Sequence, residues 1–322
     1  MKISILGAGA FGTSLAINLS KKHPDVTLWS HDEAQINKIK SDKENKKYLN
    51  EINLPENLSY NASLDFVLGK SNVTFLCIPA QETAPFFKKH FKKFRKNIVV
   101  LCAKGIDKSS LSLQSEVMGH YLPENQKAVL TGPGFAREIA LGKPTALTIA
   151  CENKVLGLRL QTLISSENLR IYLSQDLIGA QIGGSLKNVI AIACGIVSGQ
   201  ELGESAKMAL MTRGFAEMRR LGVAMGGSPD TFFGLSGIGD LALTCNSMLS
   251  RNFQVGYFLG MKKRIDSNKT VEGLITANAA CKLAQRHNID IPVIQTTSLI
   301  LQNQISIETA MINLLSRPLK TE

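Results

Sequence analysis

The chain has 322 residues, of which 44% are hydrophobic and 20% are charged, and its formal net charge at pH 7 is +11. This length predicts about two domains, and the composition is that of a globular protein without low-complexity segments. The six cysteines are scattered and form no C-x-x-C pair, which excludes a zinc site or redox pair of that type. We therefore expect small core cysteines, a reducing compartment and no bound metal.

The positive charge is compatible with an anionic small molecule, with nucleic acid or with a lipid surface. No helix-turn-helix, zinc-finger or RNA-binding pattern accompanies it, so nucleic acid is not expected as a partner. We find no run long and apolar enough to span a bilayer, and glycines interrupt the apolar residues near the start of the chain. These features predict a cytoplasmic protein without stable membrane insertion.

A glycine-rich turn follows the first predicted strand, Lys2 to Leu6, and precedes a predicted helix from Thr13 to Lys21. The turn reads GAGAFG and fits G-x-G-x-x-G. In this pattern Gly7 permits the tight turn, Gly9 lets the backbone approach a pyrophosphate, and Gly12 lets helix and strand pack closely. The N-terminal end of the helix supplies an anion site. The sequence therefore predicts dinucleotide binding, with a purely structural glycine turn as the alternative.

The second predicted strand, Val26 to Trp29, is followed by Ser30 and His31 rather than by an acid. An NAD-specific site usually has Asp or Glu at this point to bind the ribose 2′-hydroxyl. Here Asp32 comes later, and His31 would tolerate a 2′-phosphate. Both NADH and NADPH therefore remain candidate cofactors, and an ordinary loop histidine is the alternative interpretation of His31.

Alternating strands and helices predict a doubly wound, mostly parallel sheet of the Rossmann type through about residue 175. A polar, Lys- and Asn-rich stretch from Ser41 to Asn61 predicts a surface excursion. The remaining predicted strands are Asn72 to Ile78, Ile98 to Leu101, Ala128 to Leu130, Thr145 to Ile149 and Leu169 to Leu173.

The second half of the chain predicts helices instead of strands. These are Leu177 to Gly199, Ser205 to Met225, Asn252 to Met261, Leu274 to Arg286, Val293 to Gln302 and Ile307 to Leu315. We therefore predict a dinucleotide-binding domain over residues 1–180 and an all-α substrate and catalytic domain over residues 181–322, with a cleft between them.

Three further segments of the first half combine charge, glycine or aromatic residues. The basic run from Lys88 to Lys96 has phenylalanines at near-helical spacing, which favours an amphipathic helix with a solvated basic face over a membrane-binding one. Lys104 lies just past a strand, where doubly wound sheets bind ligands. The Gly/Pro-rich turn from Thr131 to Glu138 opens a helix and is a second candidate ligand loop, although as a turn alone it is unremarkable.

Lys187 is the only charge between Asp176 and Glu201. A helical period over about Gly183 to Ser198 places it on a face of small residues that would leave room for a ligand. A buried ammonium loses its proton more readily, so Lys187 is a candidate proton donor and acceptor. A snorkelling lysine, with glycines that serve close helix packing, has equal weight at this point.

Two polar groups in the helical half are further candidates. Asp240 lies in a glycine-rich, otherwise apolar segment, where it would orient a proton or a substrate hydroxyl, or else cap a helix. Ser250 is a good N-cap, and Arg251 with the first-turn N–H groups would hold a phosphate. A simple cap followed by a solvated arginine is the alternative.

Several motifs occur in an order that resembles the bacterial NAD(P)-dependent glycerol-3-phosphate dehydrogenases over nearly the whole chain. They are GAGAFGTSLA, LCAKGI, TGPGFA, GGSLKNVIAIACGIVSG, SAKMALMTRGFAEMRRLG, FFGLSGIGDLALTC, SRN and VEG. The resemblance implies reversible reduction of dihydroxyacetone phosphate to sn-glycerol 3-phosphate with NADH or NADPH, in supply of glycerophospholipid synthesis.

The resemblance also implies residue roles. Lys187, in the L-K-N motif, is the implied proton donor and acceptor, with Lys104 and Asp240 as its catalytic companions. The cofactor contacts, with the glycines of the turn, are Gly7, Gly9, Ala10, Phe11, Gly12, His31, Lys104, Ala136, Arg251 and Glu272. The substrate contacts are Lys104, Gly132, Gly134, Lys187, Asp240, Thr244, Ser250, Arg251 and Asn252.

One position departs from the family pattern, because Gly134 stands where the family usually has serine. One hydroxyl contact is then missing, although the backbone would still serve. Two alternative functions stay open: a related two-domain dehydrogenase of hydroxyacids or hydroxyacyl groups, and a non-catalytic dinucleotide sensor. The sequence also allows a homodimer without settling it.

Overall fold

The computed structural model describes residues 1–94, 97–122, 127–263 and 272–316. Its main sheet contains β1 (Ile3–Leu6), β2 (Val26–Trp29), β5 (Ser59–Asn61), β6 (Val73–Leu76), β7 (Ile98–Leu101), β8 (Lys127–Thr131), β9 (Thr145–Ala150) and β10 (Leu169–Ser174). The strand order is β10-β9-β8-β7-β6-β1-β2-β5. All neighbours are parallel except β8 and β9, which run antiparallel. The predicted mostly parallel, doubly wound sheet is confirmed.

Helices separate these strands along the chain. They are α1 (Ala10–Ser20), α2 (Glu33–Asp42), α3 (Leu64–Lys70), α4 (Thr83–His90), α5 (Gln114–Gly119), α6 (Ala136–Ala140) and α7 (Lys154–Ile164). After β10 the described elements are helical, with α8 (Leu177–Gly199), α9 (Glu204–Ala224), α10 (Asp240–Cys245), α11 (Arg251–Gly260), α12 (Glu272–Arg286), α13 (Pro292–Leu301) and α14 (Ile307–Leu315). The helical second half is confirmed; a domain division at residue 180 remains a prediction.

Strands of the sheet centre are buried on both faces, which explains their continuous apolar sequences. Successive side chains of a strand point to opposite faces. Ile5 and Phe75 accordingly lie in one core cluster, whereas Leu6 and Leu76 lie in another, across the sheet.

Helix α8 is the central helix of the second half and is buried along nearly its whole length. Its glycines allow backbones to approach. A Cβ on Gly195 would lie 2.2 Å from the Phe253 carbonyl oxygen of α11, and one on Gly183 would lie 2.2 Å from the Ser236 carbonyl oxygen. At these two positions the small residues therefore serve close packing and do not leave room for a ligand.

The expectation that no run is long and apolar enough to cross a bilayer was wrong. Within the described part of the chain, Leu177–Gly199 meets that criterion with a mean hydropathy of 1.4, because its 23 residues include a single charge. The protein itself buries 83% of the apolar stretch. A core helix shows the same pattern, so this is weak evidence for a membrane span.

Two segments differ from their predictions. The stretch from Ser41 to Asn61 is more than a surface excursion: it forms a hairpin of β3 (Glu44–Asn45) and β4 (Leu49–Asn53), and then β5, the edge strand of the main sheet. The basic helix ends at His90 and continues as a 3₁₀ turn, Phe91–Phe94, with its lysines exposed and Phe94 buried. The last two residues of the predicted run lie outside the described residues.

Candidate active site

The loops after β1, β7 and β8 lie at one edge of the sheet, because these strands all run in the same direction. They carry the glycine-rich turn, Lys104 and Gly132 respectively. Open α/β sheets bind ligands at this carboxyl edge. The sequence-predicted residues of the first half are therefore brought to one side of the molecule.

The glycine-rich turn has the backbone geometry that its pattern requires. Gly7 has φ +118°, and a Cβ there would lie 2.5 Å from the Cys77 carbonyl oxygen. A Cβ on Gly12 would lie 2.0 Å from the Gly7 carbonyl oxygen, whereas one on Gly9 would meet nothing within 4 Å. No side chain caps the start of α1. The space above Gly9 and the N–H groups at the N-terminus of α1 fit a pyrophosphate.

Beyond β2, the residues that would read the cofactor ribose are arranged around Gln35. Ser30 is buried and donates a hydrogen bond to Gln35 Oε1 at 2.8 Å. Asp32 caps α2 by accepting from the Gln35 N–H at 3.0 Å. His31 is exposed. The residues directly after β2 are thus Ser30 and His31, and the first acid, Asp32, caps α2.

Asp240 joins the two predicted catalytic lysines. Its Oδ2 accepts from Lys104 Nζ at 2.8 Å, and its Oδ1 accepts from Lys187 Nζ at 2.5 Å. Lys187 Nζ also donates to Thr244 Oγ1 at 2.9 Å, one turn along α10 from Asp240. Asp240 is 1% exposed and is the first residue of α10, so its carboxylate is an ion-pair partner rather than a helix cap. One buried carboxylate thus pairs with two amines, and one positive charge is left over when both amines are protonated.

Burial lowers the pKa of Lys187 from its usual value to about 8, with the neighbouring charge of Lys104 lowering it further and that of Asp240 opposing the shift. A lysine in this range exchanges a proton readily near neutral pH. Lys187 is therefore no snorkelling lysine: its ammonium lies inside the protein, paired with a carboxylate.

Glycines bring Asp240 to the lysines. The turn Leu235–Gly239 precedes α10 and contains Gly237, whose φ and ψ of −101° and −106° are not helical. Gly183 of α8 has no side chain where the Ser236 carbonyl approaches. The turn can therefore lie directly on α8, which also carries Lys187.

The start of α11 lies beside the start of α12. Ser250 caps α11 by accepting from the Phe253 N–H, and Asn252 Oδ1 accepts from the Gly273 N–H at 3.1 Å. Arg251 is exposed. Burial raises the pKa of Glu272, and the positive charges of Arg251, Lys104 and Lys187 oppose that rise. The Ser-Arg-Asn segment thus belongs to the same electrostatic environment as the lysines.

The loop after β8 also contacts the cluster. Gly132 has φ +125°, and its carbonyl oxygen accepts from Lys104 Nζ at 3.2 Å. At Gly134 a Cβ would lie 3.1 to 3.2 Å from Ile139, Leu147 and Thr145. Apolar side-chain atoms thus leave little space for a side chain at this position. Ala136 begins α6, immediately beyond this loop.

Sequence reasoning placed Thr131, at the end of β8, in the second candidate ligand loop but assigned its side chain no role of its own. Its hydroxyl oxygen is buried and has no hydrogen-bond partner among the residues that the structure describes. A Cβ on Gly184 would lie 2.8 Å from this oxygen and 3.6 Å from the Lys104 side chain. A threonine ending a strand gives no pattern in the sequence that would have identified it.

The fold and this site define a class: a two-part dehydrogenase with a dinucleotide-binding sheet and a lysine–carboxylate cluster. Residues 2–156 match the family model for the NAD-dependent glycerol-3-phosphate dehydrogenase N-terminus, and residues 176–312 match that for its C-terminus. The chain belongs to the NAD(P)-dependent glycerol-3-phosphate dehydrogenase family.

Relatives and solved structures agree with this assignment. The chain is 46% identical to a glycerol-3-phosphate dehydrogenase [NAD(P)+] of Ruegeria sp. (strain TM1040), over 100% of both chains. It is 44% identical to the enzyme of the same name from Agrobacterium fabrum, over 100% of this chain and 99% of the relative. The glycerol-3-phosphate dehydrogenase of Coxiella burnetii superimposes with a TM-score of 0.92 at 32% identity, covering 98% and 99% of the two chains.

A D-mandelate dehydrogenase with NADH shares the fold alone, with a TM-score of 0.63 at 13% identity over 94% of this chain and 98% of that one. The architecture is therefore common to dehydrogenases of different substrates.

Proposed function

We propose that this protein interconverts dihydroxyacetone phosphate and sn-glycerol 3-phosphate, and that Lys187 donates and accepts the proton. The single observation that carries the proposal is the buried Lys104–Asp240–Lys187 cluster, since a cofactor-binding fold alone also serves other dehydrogenases. The bound NADH or NADPH supplies the hydride. The product would supply glycerophospholipid synthesis, in a cytoplasmic enzyme.

During reduction of the ketone, negative charge develops on the oxygen attached to C2. The Lys187 ammonium would polarise this oxygen and then donate its proton to it. Lys104 adds a second positive charge beside the same carboxylate, and Asp240 fixes the positions of both amines. In the oxidative direction the neutral Lys187 amine accepts the proton of the substrate hydroxyl.

The substrate phosphate would bind at the start of α11, where Arg251 and the first-turn N–H groups attract anions. Ser250 is already used as the helix cap through its hydroxyl, and Asn252 uses its carbonyl for Gly273. Both side chains accept in these bonds, so their donor groups are not used by them, and Arg251 supplies the positive charge at this helix end.

The direct test measures the loss of NADH or NADPH absorbance after addition of dihydroxyacetone phosphate to the purified protein. We expect turnover with both cofactors, because Ser30 and His31, and not an acid, directly follow β2, where an NAD-specific site usually has a carboxylate. Failure to bind NADPH while NADH binds would contradict the cofactor part. Turnover only with a hydroxyacid would instead favour the related hydroxyacid dehydrogenase. Cofactor binding without turnover would favour a non-catalytic dinucleotide sensor.

A further inference from the structure

The carbonyl oxygen of Ala8, inside the glycine-rich turn, accepts hydrogen bonds from two distant side chains. Gln35 Nε2 of α2 donates to it at 2.8 Å, and Asn45 Nδ2 of β3 donates to it at 2.9 Å. Asn45 Nδ2 also donates to Thr13 Oγ1 of α1 at 2.8 Å. We call Gln35 and Asn45 the Ala8 brace.

The contacts of Asn45 are buried. Asn45 is 1% exposed and Thr13 is 0% exposed, so water cannot replace a hydrogen bond that is lost there. The two donors of the Asn45 amide are used on two acceptors, and the two lone pairs of the Ala8 carbonyl are both satisfied. Removal of the amide would take this donor from the buried Thr13 hydroxyl and leave the Ala8 carbonyl with Gln35 alone, and a buried polar atom that loses its partner costs more than the bond itself contributes.

We propose that the Ala8 brace positions the turn for the dinucleotide. The peptide group between Ala8 and Gly9 is planar and trans, so the carbonyl of Ala8 and the N–H of Gly9 point in opposite directions. The brace holds the carbonyl toward α2 and the hairpin, and this fixes the Gly9 N–H away from them. A turn that binds pyrophosphate must present N–H groups and keep carbonyl oxygens away from the anion.

The brace also connects the two ends of the cofactor site. Gln35 Oε1 accepts from Ser30, at the end of β2, while Gln35 Nε2 holds the Ala8 carbonyl. The Gln35 side chain therefore links the loop after β2, where the cofactor ribose would bind, to the glycine-rich turn. The hairpin that carries Asn45 is likewise part of the cofactor site without contacting the reacting atoms.

This inference depends on one part of the proposed function, namely that the glycine-rich turn binds the cofactor pyrophosphate. Its test compares Asn45→Ala and Gln35→Ala with Asn57→Ala. Asn57 Nδ2 donates to the Ser20 carbonyl at 2.7 Å, so the control removes an amide-to-carbonyl bond to the opposite end of the same helix. Thermal melts establish that each variant is folded, and NADH dissociation constants come from fluorescence titration.

We expect Asn45→Ala to raise the NADH Kd by about tenfold and Gln35→Ala by about threefold, because a misplaced turn weakens each of its anion contacts. The change should appear in the Kd and in the KM for NADH, since the brace acts on the turn that would hold the cofactor. Asn57→Ala should bind NADH as the wild type does. If Asn45→Ala does not fold, Gln35→Ala carries the test.

Two outcomes separate the inference from the proposed function. If the wild-type protein binds NADH and the brace variants bind it with the same Kd, the positioning role is overturned and the enzyme assignment stays intact. A wild-type protein that binds no dinucleotide overturns the assignment itself. An equal rise of Kd in Asn57→Ala would show that the effect reports helix stability and would also overturn the positioning role.

Discussion

The glycine-rich turn and the Lys104–Asp240–Lys187 cluster are two polar sites built in opposite ways. The turn attracts an anion through backbone N–H groups within a few consecutive residues, and it works because Gly9 leaves space and Gly12 allows close packing. The cluster uses side-chain charges from three segments: the sequence separation is 136 between Lys104 and Asp240 and 53 between Lys187 and Asp240.

This difference in construction has a chemical consequence. Backbone dipoles do not titrate, so the turn can hold an anion at any physiological pH. Burial disfavours the Lys187 ammonium, and the charges of Asp240 and Lys104 shift its pKa in opposite directions, so the cluster contains an amine with a pKa of about 8. The turn is therefore suited to binding and the cluster to proton transfer, and mutations should separate the two.

The largest effect should come from Lys187→Met. The change removes the proton donor while Asp240 keeps Lys104 as its ion partner, so the fold should survive. Loss of an acid–base group typically lowers the rate by roughly 10²–10⁴-fold. The measurement is kcat of the folded variant at saturating NADH, and NADH affinity should be unchanged. Activity within a few-fold of wild type would show that another group carries the proton.

Gly12→Ala should disturb the packing between the glycine-rich turn and α1. The new Cβ would lie 2.0 Å from a backbone oxygen, so the strand and helix must move apart, at a cost of ~1–3 kcal/mol. We expect a lower Tm and an NADH affinity reduced by at least about tenfold.

Gly9→Ala is its matched control, because an added Cβ meets nothing in the protein. It should keep the wild-type Tm and lose only cofactor affinity. A Tm loss at Gly9 equal to that at Gly12 would contradict the distinction between packing space and ligand space.

Arg251→Ala should raise KM for dihydroxyacetone phosphate by about tenfold, since a charge-assisted contact contributes on the order of 1.5–3 kcal/mol. The exposed position of Arg251 makes a folding defect unexpected. Initial rates at varied substrate, with NADH saturating, measure the effect. An unchanged KM would move the phosphate site elsewhere in the cleft.

The smallest expected effect is a change in the pH dependence of the two reaction directions. Reduction needs the Lys187 ammonium, so kcat/KM for dihydroxyacetone phosphate should fall as pH rises through about 8, whereas glycerol 3-phosphate oxidation should rise over the same range. Asp240 raises the pKa of Lys187, so the residual activity of Asp240→Asn should show both transitions at lower pH. A transition that stays in place in Asp240→Asn would assign it to another group.

Some sequence-based predictions failed for strands whose pairing partners lie far away in the sequence. The sequence predicted seven strands close to where they lie, but it missed β5, because this short edge strand is polar and pairs with β2, about 30 residues earlier. The antiparallel direction of β9 was missed for a similar reason, since strand composition does not encode direction. Asn45 stood in a lysine- and asparagine-rich stretch that gave no signal of a buried amide.

The sequence by itself determined the elements whose cause is local. Apolar runs bounded by turn residues set the strands, a long apolar period set α8, and glycine spacing set the turn, because backbone conformation and burial follow from neighbouring residues. Only the tertiary structure decided which charges meet. The packing of α8 against the turn before α10 decided two open questions. Asp240 pairs with Lys187 instead of capping a helix, and Gly183 packs against Ser236 instead of leaving space for a ligand. Such contacts join residues far apart in sequence, and their geometry is fixed by packing that no single segment contains.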